Sequence, residues 1–498
     1  MTDDSEYRRK RDFERTPEPP ATEVSGDVDP LTAPPGETFV IQQHYATRLH
    51  HDVRLEMFNG PAPVLVSWAV PKGLPRARGE RHLAIRTEDH PMEYATFSGT
   101  IPAGEYGGGE VRIFDSGTYE MVGRTEDRIT FRLHGNRLQG TYHLVHTGVA
   151  DGKDQWLALL SEDERPPRED PPPLEPMLAT LTDGPFDDPA WGFEPKWDGV
   201  RALAVCDTST RLFSRNGKDV TSGYPELAGL HDRLVALDAV VDGEIVAFQD
   251  GRPSFQSLQQ RMHVREPRRV EALAKRIPVV FMAFDLLYLD GKDLTDEPLR
   301  QRREALEEIL VPDDHVQLSP LVEGAGEALY RAAEERGLEG IVAKRLDSRY
   351  ETGARSRAWL KVKLTFDADV VIVGWTEGEG RRRGRIGSLV MAVYDSEGIR
   401  YVGNVGTGFD RAALEDAARR LEAIETSDPP FDRSVIRSSP ELRRAHWVEP
   451  RLVAVVEHRQ LTDAGRLRAP SFKGWRDDKA PQECTFDQLQ PAPPRGEP

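Results

Sequence analysis

Lys196 lies in the run Phe193-Glu194-Pro195-Lys196-Trp197-Asp198-Gly199-Val200-Arg201. A lysine attacks phosphorus when its surroundings favour the neutral amine, and attack on the α-phosphate of a nucleotide yields a phosphoramidate. A Lys-x-Asp-Gly string by itself arises by chance and reads equally well as a turn with a solvated lysine. Here other charged strings follow it in order: Ser214-Arg215-Asn216-Gly217-Lys218-Asp219, Asp242-Gly243-Glu244-Ile245, Ala283-Phe284-Asp285, Glu339-Gly340-Ile341-Val342-Ala343-Lys344 and Trp359-Leu360-Lys361-Val362-Lys363. Carboxylates such as Glu244 and Glu339 suit a magnesium ion that would neutralise charge on a transferring phosphate. Lys361 and Lys363 alternate with apolar residues, so on a strand both amines share one face and would hold a phosphate together. Phe284 sits in an otherwise apolar strand, where a stacking platform for a base and plain core are equal readings.

A second constellation lies upstream. Three of the 13 histidines, His44, His50 and His51, fall within eight residues of one another, followed by Asp52 and Arg54. If Leu49–Met57 is a strand, His50, Asp52 and Arg54 share one face, while Val53, Leu55 and Met57 point to a core. Two histidines and a carboxylate are ligands for manganese or zinc, and an arginine beside them would bind a phosphate oxygen. Lys72, Glu88, His90 and Tyr94 recur downstream, and the Gly-rich stretch from Ile101 to Gly109 reads as a hairpin connection.

These residues need elements to carry them. The length of 498 residues suggests about three domains, and 38% hydrophobic and 8% aromatic residues suffice for ordinary cores. Residues 1–36 mix Pro with charges of both signs, including Arg8-Arg9-Lys10-Arg11, and read as a disordered tail. Residues 37–160 carry short alternating runs broken by Gly, the pattern of a β-barrel or sandwich. Residues 161–173 are Pro-rich and charged and form a linker. Residues 174–364 alternate strand-like and helical runs, an α+β domain, with helices expected over 299–310 and 324–336. Residues 365–488 return to β-signals around one helix and fit a five-stranded barrel of the OB type; residues 489–498 form a polar tail. No stretch is long and apolar enough to cross a membrane. The formal net charge is −18, which leaves room for local basic grooves that bind nucleic acid. Two cysteines give neither a disulfide framework nor a four-cysteine zinc site, and a cytoplasmic setting is the simplest expectation.

The order and spacing of the central strings resemble the covalent nucleotidyltransferases, most closely the ATP-dependent DNA ligases. The resemblance implies that Lys196 is the adenylylated nucleophile and that Glu194 belongs to the nucleotide site. Arg201 and Arg215 would contact the AMP sugar or the nick phosphate. Glu244 would bind ribose, Phe284 would stack on adenine, Glu339 would serve the metal, and Lys361 and Lys363 would hold the α-phosphate. The run from Arg466 to Lys479 resembles the final ligase motif on an OB-fold, with Arg476 and Lys479 orienting the pyrophosphate of ATP. Arg381, Arg382, Arg383 and Arg385 form a basic loop suited to a DNA backbone.

The upstream pattern resembles the 3′-phosphoesterase domain of the bacterial ligase D end-joining family. That likeness implies a metal, manganese, on His44, His50 and Asp52. Arg54, Lys72, Glu88, His90 and Tyr94 would surround the scissile phosphate. His82 stands where the family usually carries arginine; arginine stays charged and binds phosphate bidentately, whereas histidine need not. The combined expectation is a multidomain chain: a phosphoesterase β-barrel, an α+β nucleotidyltransferase domain and a C-terminal OB-fold barrel. It would use ATP, magnesium and manganese, and act on nicked or broken duplex DNA near the nucleoid. Bacterial Ku and a separate repair polymerase would be its partners. Two other readings share some of these residues: an RNA ligase or capping-type nucleotidyltransferase, and a ligase with an inert end-binding N-terminal domain.

Overall fold

The computed structural model describes residues 6–20, 28–59, 62–167, 169–182, 184–262, 264–364, 366–378, 386–458, 461–462 and 464–489. The basic loop of Arg381, Arg382, Arg383 and Arg385 lies outside the described residues.

The first unit is a closed antiparallel barrel. Its strands run Pro35–Tyr45, Leu49–Asn59, Ala62–Val70, His82–Arg86, Lys153–Asp163, Gln139–Ala150, Arg128–Gly135 and Gly109–Arg124, and the last pairs back onto the first. Closure leaves no long edge exposed. The short strand Gly99–Ile101 hangs on Gly109–Arg124, so the Gly-rich stretch does make a hairpin connection. Val53, Leu55, Val66, Trp68, Phe131, Leu133 and Leu144 are all fully buried in the core.

The described part of the first 36 residues departs from the disordered tail expected there. Among the described ones, residues 6–20 fold over the barrel, with a short helix at Glu6–Arg9. Tyr7 is fully buried, and its hydroxyl donates to the carbonyl of Pro19 (2.7 Å). The physical reason is charge complementarity over long sequence distance. Arg11 pairs with Glu18 (2.7 Å) and with Glu88 (3.2 Å), and Lys10 pairs with Glu88 (3.2 Å). Further along, Asp89 accepts from the Val28 amide (2.7 Å). Charges that looked like a solvated tail are therefore partners for charges some 70 residues away.

The central unit holds two sheets. One orders Leu178–Leu181, Arg355–Lys363, Gly340–Arg345, Trp191–Pro195 and Val322–Glu323. The other orders Thr210–Ser214, Val200–Cys206, Ala239–Gln249, Val279–Leu289 and Lys292–Asp293, with Arg252–Pro253 and Val316–Leu318 attached. The expected helices appear at Leu299–Ile309 and Gly326–Glu335. Leu299–Ile309 packs on Val279–Leu289, where Arg302 forks onto Asp285 (2.8 and 2.9 Å) with both side chains fully buried. That pair fixes the strand segment that carries Phe284.

The third unit is built on Gly398–Val405, Ile386–Asp395, Phe366–Glu377, His446–His458 and Ser471–Trp475. The two-residue Glu425–Thr426 adds a sixth strand to the five expected. The expected helix spans Arg411–Glu422, and Asp410 caps it by accepting from the Ala413 amide (2.7 Å). Among the described residues, no helix is long and apolar enough to cross a membrane.

The barrel also touches the central unit. Gln43 donates to the carbonyl of Asp232 (3.1 Å), and Arg137 pairs with Asp290 (2.6 Å).

Candidate functional site

Lys196 sits where the two central sheets meet. Pro195 ends a strand of the first sheet, Val200 begins a strand of the second, and Lys196-Trp197-Asp198-Gly199 crosses between them. The crossing requires glycine, because a Cβ on Gly199 would lie 2.3 Å from the carbonyl oxygen of Ile245. The Lys196 amide donates to the Gly340 carbonyl (2.9 Å) and holds the loop on the neighbouring strand. A cavity of about 240 Å³ opens beside the lysine. It brings together Glu194, Lys196, Arg201, Arg215, Glu244, Phe284, Lys344, Trp359 and Lys361.

Within this cavity the charges are arranged in pairs. Lys196 donates to Glu339, and Lys363 approaches the other oxygen of the same carboxylate (3.8 Å). Both therefore adjoin the cavity at its lysine end. Burial, and then the nearby Glu339, hold the Asp198 carboxyl above its ordinary value. Burial, and then Lys363, lower Lys361. Arg201 forks onto the buried Asp242 (2.5 and 2.5 Å), with its guanidinium 4.5 Å from the Phe284 ring centre. Most of that guanidinium is thus committed to the protein. Arg215 has no ion-pair partner among the described residues and is available to a ligand. Phe284 is only 6% exposed, yet it lines the cavity, so it is core and platform at once.

Lys344 is fully buried, 3.0 Å from Glu194 and 4.1 Å from the Phe284 ring centre. Removing one member of such a pair leaves an uncompensated buried charge, at a cost of about 3–5 kcal/mol. Lys344→Ala is therefore expected to lower unfolding stability by about that amount, and Lys344→Met with Glu194→Gln by much less. Chemical denaturation checks this; equal losses in both variants would rule out the charge-pair account.

Burial pushes the Glu244 carboxyl up to about 8, against the pull of Arg201 and then Lys196. A carboxyl whose pKa is raised on folding takes up a proton as the chain folds. Its contribution is greatest at low pH and is lost as pH rises from about 4.3, the unfolded value, through the folded value. Unfolding stability of the nucleotide-free protein is therefore expected to decline over that window, and Glu244→Gln to flatten the decline. Parallel stability curves for the two proteins would refute it.

The second site is built on the barrel. The hairpin turn at Ala46-Thr47-Arg48 sets His44 opposite His50, and the same register sets Gln42 opposite Asp52 and Val40 opposite Arg54. His44 Nε2 donates to the Gly107 carbonyl (2.7 Å) and His50 Nδ1 to the Arg48 carbonyl (3.0 Å). Carbonyls only accept, so the lone pairs lie on His44 Nδ1 and His50 Nε2. Each of these faces a different oxygen of Asp52 at 3.6 Å. The three ligand atoms lie within 4.8 Å of one another. Arg54 holds the buried Asp52 carboxyl well below its ordinary range, against the opposing effect of burial. Oriented imidazoles and an ionised carboxylate fit a divalent cation.

Arg54 is buried and heavily committed. It donates to Gln42 (2.8 Å), Ser67 (2.7 Å) and Asp52 (3.0 Å), and its Nη1 lies 2.8 Å from His90 Nδ1. Little of its fork remains for a phosphate, so it chiefly positions Asp52 and His90. Burial, then Arg54 and Arg11, push His90 well below the usual imidazole range. Tyr94 donates to Glu18 (3.1 Å). The N-terminal segment thus adds Tyr7, Arg11 and Glu18 to the site, residues missed in the sequence because nothing local ties them to Glu88 and His90.

Lys72 and His82 do not join this site. They line a separate cavity of about 410 Å³ with Gln43, His51, Arg76 and His231, between the barrel and the central unit. Strand pairing explains the miss. Lys72 follows Trp68 and Val70, which share a sheet face with Val53 and His51, whereas Ser67 lies on the face of Arg54. Arg476 and Lys479 also stand apart: both are held on the OB unit by Asp369 (3.4 and 2.7 Å) and do not line the cavity beside Lys196.

Comparison with known proteins follows the same division. Residues 42–146 match the DNA Ligase D 3′-phosphoesterase domain, residues 176–363 the ATP dependent DNA ligase domain, and residues 382–479 the ATP dependent DNA ligase C terminal region. The matched segments thus stand in the order phosphoesterase domain, ligase domain, ligase C-terminal region. The chain belongs to the LigD family of ATP-dependent DNA ligases that carry an N-terminal 3′-phosphoesterase domain. It is 42% identical to the multifunctional non-homologous end joining protein LigD of Mycobacterium bovis, over 96% of this chain and 60% of that protein. It is 33% identical to LigD of Pseudomonas aeruginosa, over 98% of this chain and 62% of that protein. The chain therefore spans about 60% of the length of these curated relatives. A solved structure of mycobacterial DNA ligase D complexed with ATP and MES is 35% identical, with a TM-score of 0.44, over 63% of this chain and 98% of that one.

Proposed function

We propose that the chain heals and seals DNA ends. In this reading Lys196 takes AMP from ATP, passes it to the 5′-phosphate of a broken strand, and the neighbouring 3′-hydroxyl displaces AMP to close the strand. The observation that carries it is Lys196 at a cavity walled by Phe284, Lys344, Glu244 and Lys361. Phe284 and Trp359 offer the base a flat wall. Glu244 meets the ribose, and Lys361 and Lys363 meet the α-phosphate as charge develops on it. Arg215 meets the sugar or the nick phosphate. Glu339 holds Lys196 in the resting enzyme and offers a carboxylate to magnesium, which would neutralise phosphate charge when bound.

The barrel would remove 3′-phosphate or a 3′-terminal ribonucleotide, leaving the hydroxyl that sealing needs. His44, His50 and Asp52 would hold manganese, which supplies Lewis-acid activation of the phosphate. Arg54 keeps Asp52 ionised and His90 neutral. Glu88, Tyr94, Glu18 and Arg11 shape the approach. The working units are proposed as 37–160, 174–364 and 365–488, with residues 6–20 completing the first. The relatives' names support a role in end joining; Ku and a separate polymerase are proposed as its partners, at the nucleoid in the cytoplasm.

The test uses two matched nicks, one ending in 3′-hydroxyl and one in 3′-phosphate, with ATP, magnesium and manganese. Sealing of both is expected. Sealing of neither removes the ligase reading; sealing of the hydroxyl nick alone leaves the barrel as an end-binding domain. Lys72→Ala is expected to change 3′-phosphate release by less than about threefold, since Lys72 lies outside the barrel site. A loss above about tenfold would place it in the site after all.

A further inference from the structure

The OB unit carries two cations that the ligase reading needs at the pyrophosphate of ATP, and both are occupied. Lys479 Nζ lies 2.7 Å from Asp369 Oδ2, with each side chain 17% exposed. Lys479 also meets Gln488 (3.2 Å). Arg476 spreads over two carboxylates, forking onto Asp478 (2.8 and 2.9 Å) and reaching Asp369 with Nη1 (3.4 Å). Asp478 lies two residues on and travels with Arg476. Asp369 does not: it lies on Phe366–Glu377, the first strand after the last strand of the central unit, Arg355–Lys363.

We propose that Asp369 is a resting counter-ion that tethers Lys479 and Arg476 on the OB unit and competes with the pyrophosphate of ATP for them. The inference rests on the ligase reading. Three features carry it. Asp369 is the single carboxylate shared by both cations among the described residues. The Lys479 pair is half-buried, so solvent screens it less than an exposed pair. A phosphate and a carboxylate draw on the same ammonium donors, so Lys479 cannot satisfy both fully. Asp369 is therefore a positioning residue: it touches no substrate and acts through the two cations.

Asp369→Asn keeps the shape and removes the charge; Asp369→Glu keeps the charge. Self-adenylylation of the full chain is followed with labelled ATP over a range of concentrations. In parallel, sealing of a nick already carrying 5′-AMP is measured without ATP. Asp369→Asn is expected to lower the half-saturating ATP concentration roughly fivefold, the scale of one partly exposed ion pair. Sealing of the pre-adenylylated nick should hold within about twofold, and Asp369→Glu should restore the wild-type ATP dependence. An unchanged or raised half-saturating concentration in Asp369→Asn overturns the proposal. So does a parallel collapse of both readouts, which would make Asp369 structural. Wild-type protein that takes no label from ATP would instead sink the ligase reading and the tether with it.

Discussion

Lys196→Ala is expected to take no label from ATP and to lose nick sealing by at least about 10⁴-fold, the scale seen when a covalent nucleophile is removed. No neighbour replaces it. Lys344 is buried against Glu194, and Lys361 and Lys363 stand on another strand. The variant should still seal a nick that already carries 5′-AMP, because the lysine is needed to acquire AMP and not to close the strand. Release of 3′-phosphate should be unchanged, since the barrel site shares no residue with the nucleotide cavity. Labelling and sealing assays with the two nick types settle the point. Undiminished ATP-dependent sealing would remove Lys196 from the chemistry.

Asp52→Asn is expected to lower 3′-phosphate release by about 10³-fold, equivalent to about 4 kcal/mol, while sealing of a 3′-hydroxyl nick continues. The carboxylate faces both imidazole lone pairs and also balances the buried Arg54. Asparagine keeps the volume but loses the charge that a divalent cation needs. Metal binding should weaken in step, and a large excess of manganese should recover part of the activity. Bound metal measured on the purified variant separates this from misfolding. Wild-type metal content with lost activity would show that Asp52 acts otherwise than as a ligand.

The sequence also shows its limits at particular residues. The period of two along Leu49–Asn59 placed His50, Asp52 and Arg54 on one face, and the structure keeps them there. His44 joined them because a short turn fixes the register of the hairpin. The order of strings from Lys196 to Lys363 likewise marked the cavity beside Lys196, since each string lies on or next to a strand that reaches it. Local periodicity and short connections carry these placements, and both are written in the chain.

Other placements depend on which surfaces meet. The face taken by Lys72 and His82 follows from the pairing of Ala62–Val70 with its neighbours, and the types of the two residues are silent on it. The segment from Glu6 to Pro20 reads as a tail because the partners that anchor it to the barrel, Glu88 and Tyr94, lie far along the chain and arrive only when the barrel closes. Arg54 reads as a phosphate ligand, and only the structure shows Gln42, Ser67 and Asp52 already taking several of its donors. Arg476 and Lys479 read as unpartnered cations, and only the structure shows Asp369 beside both. The sequence by itself marked three units, a candidate nucleophile and a candidate set of metal ligands, because periodicity and spacing are local. The tertiary structure decided which charges neutralise one another, because an ion pair depends on distance through space and not along the chain.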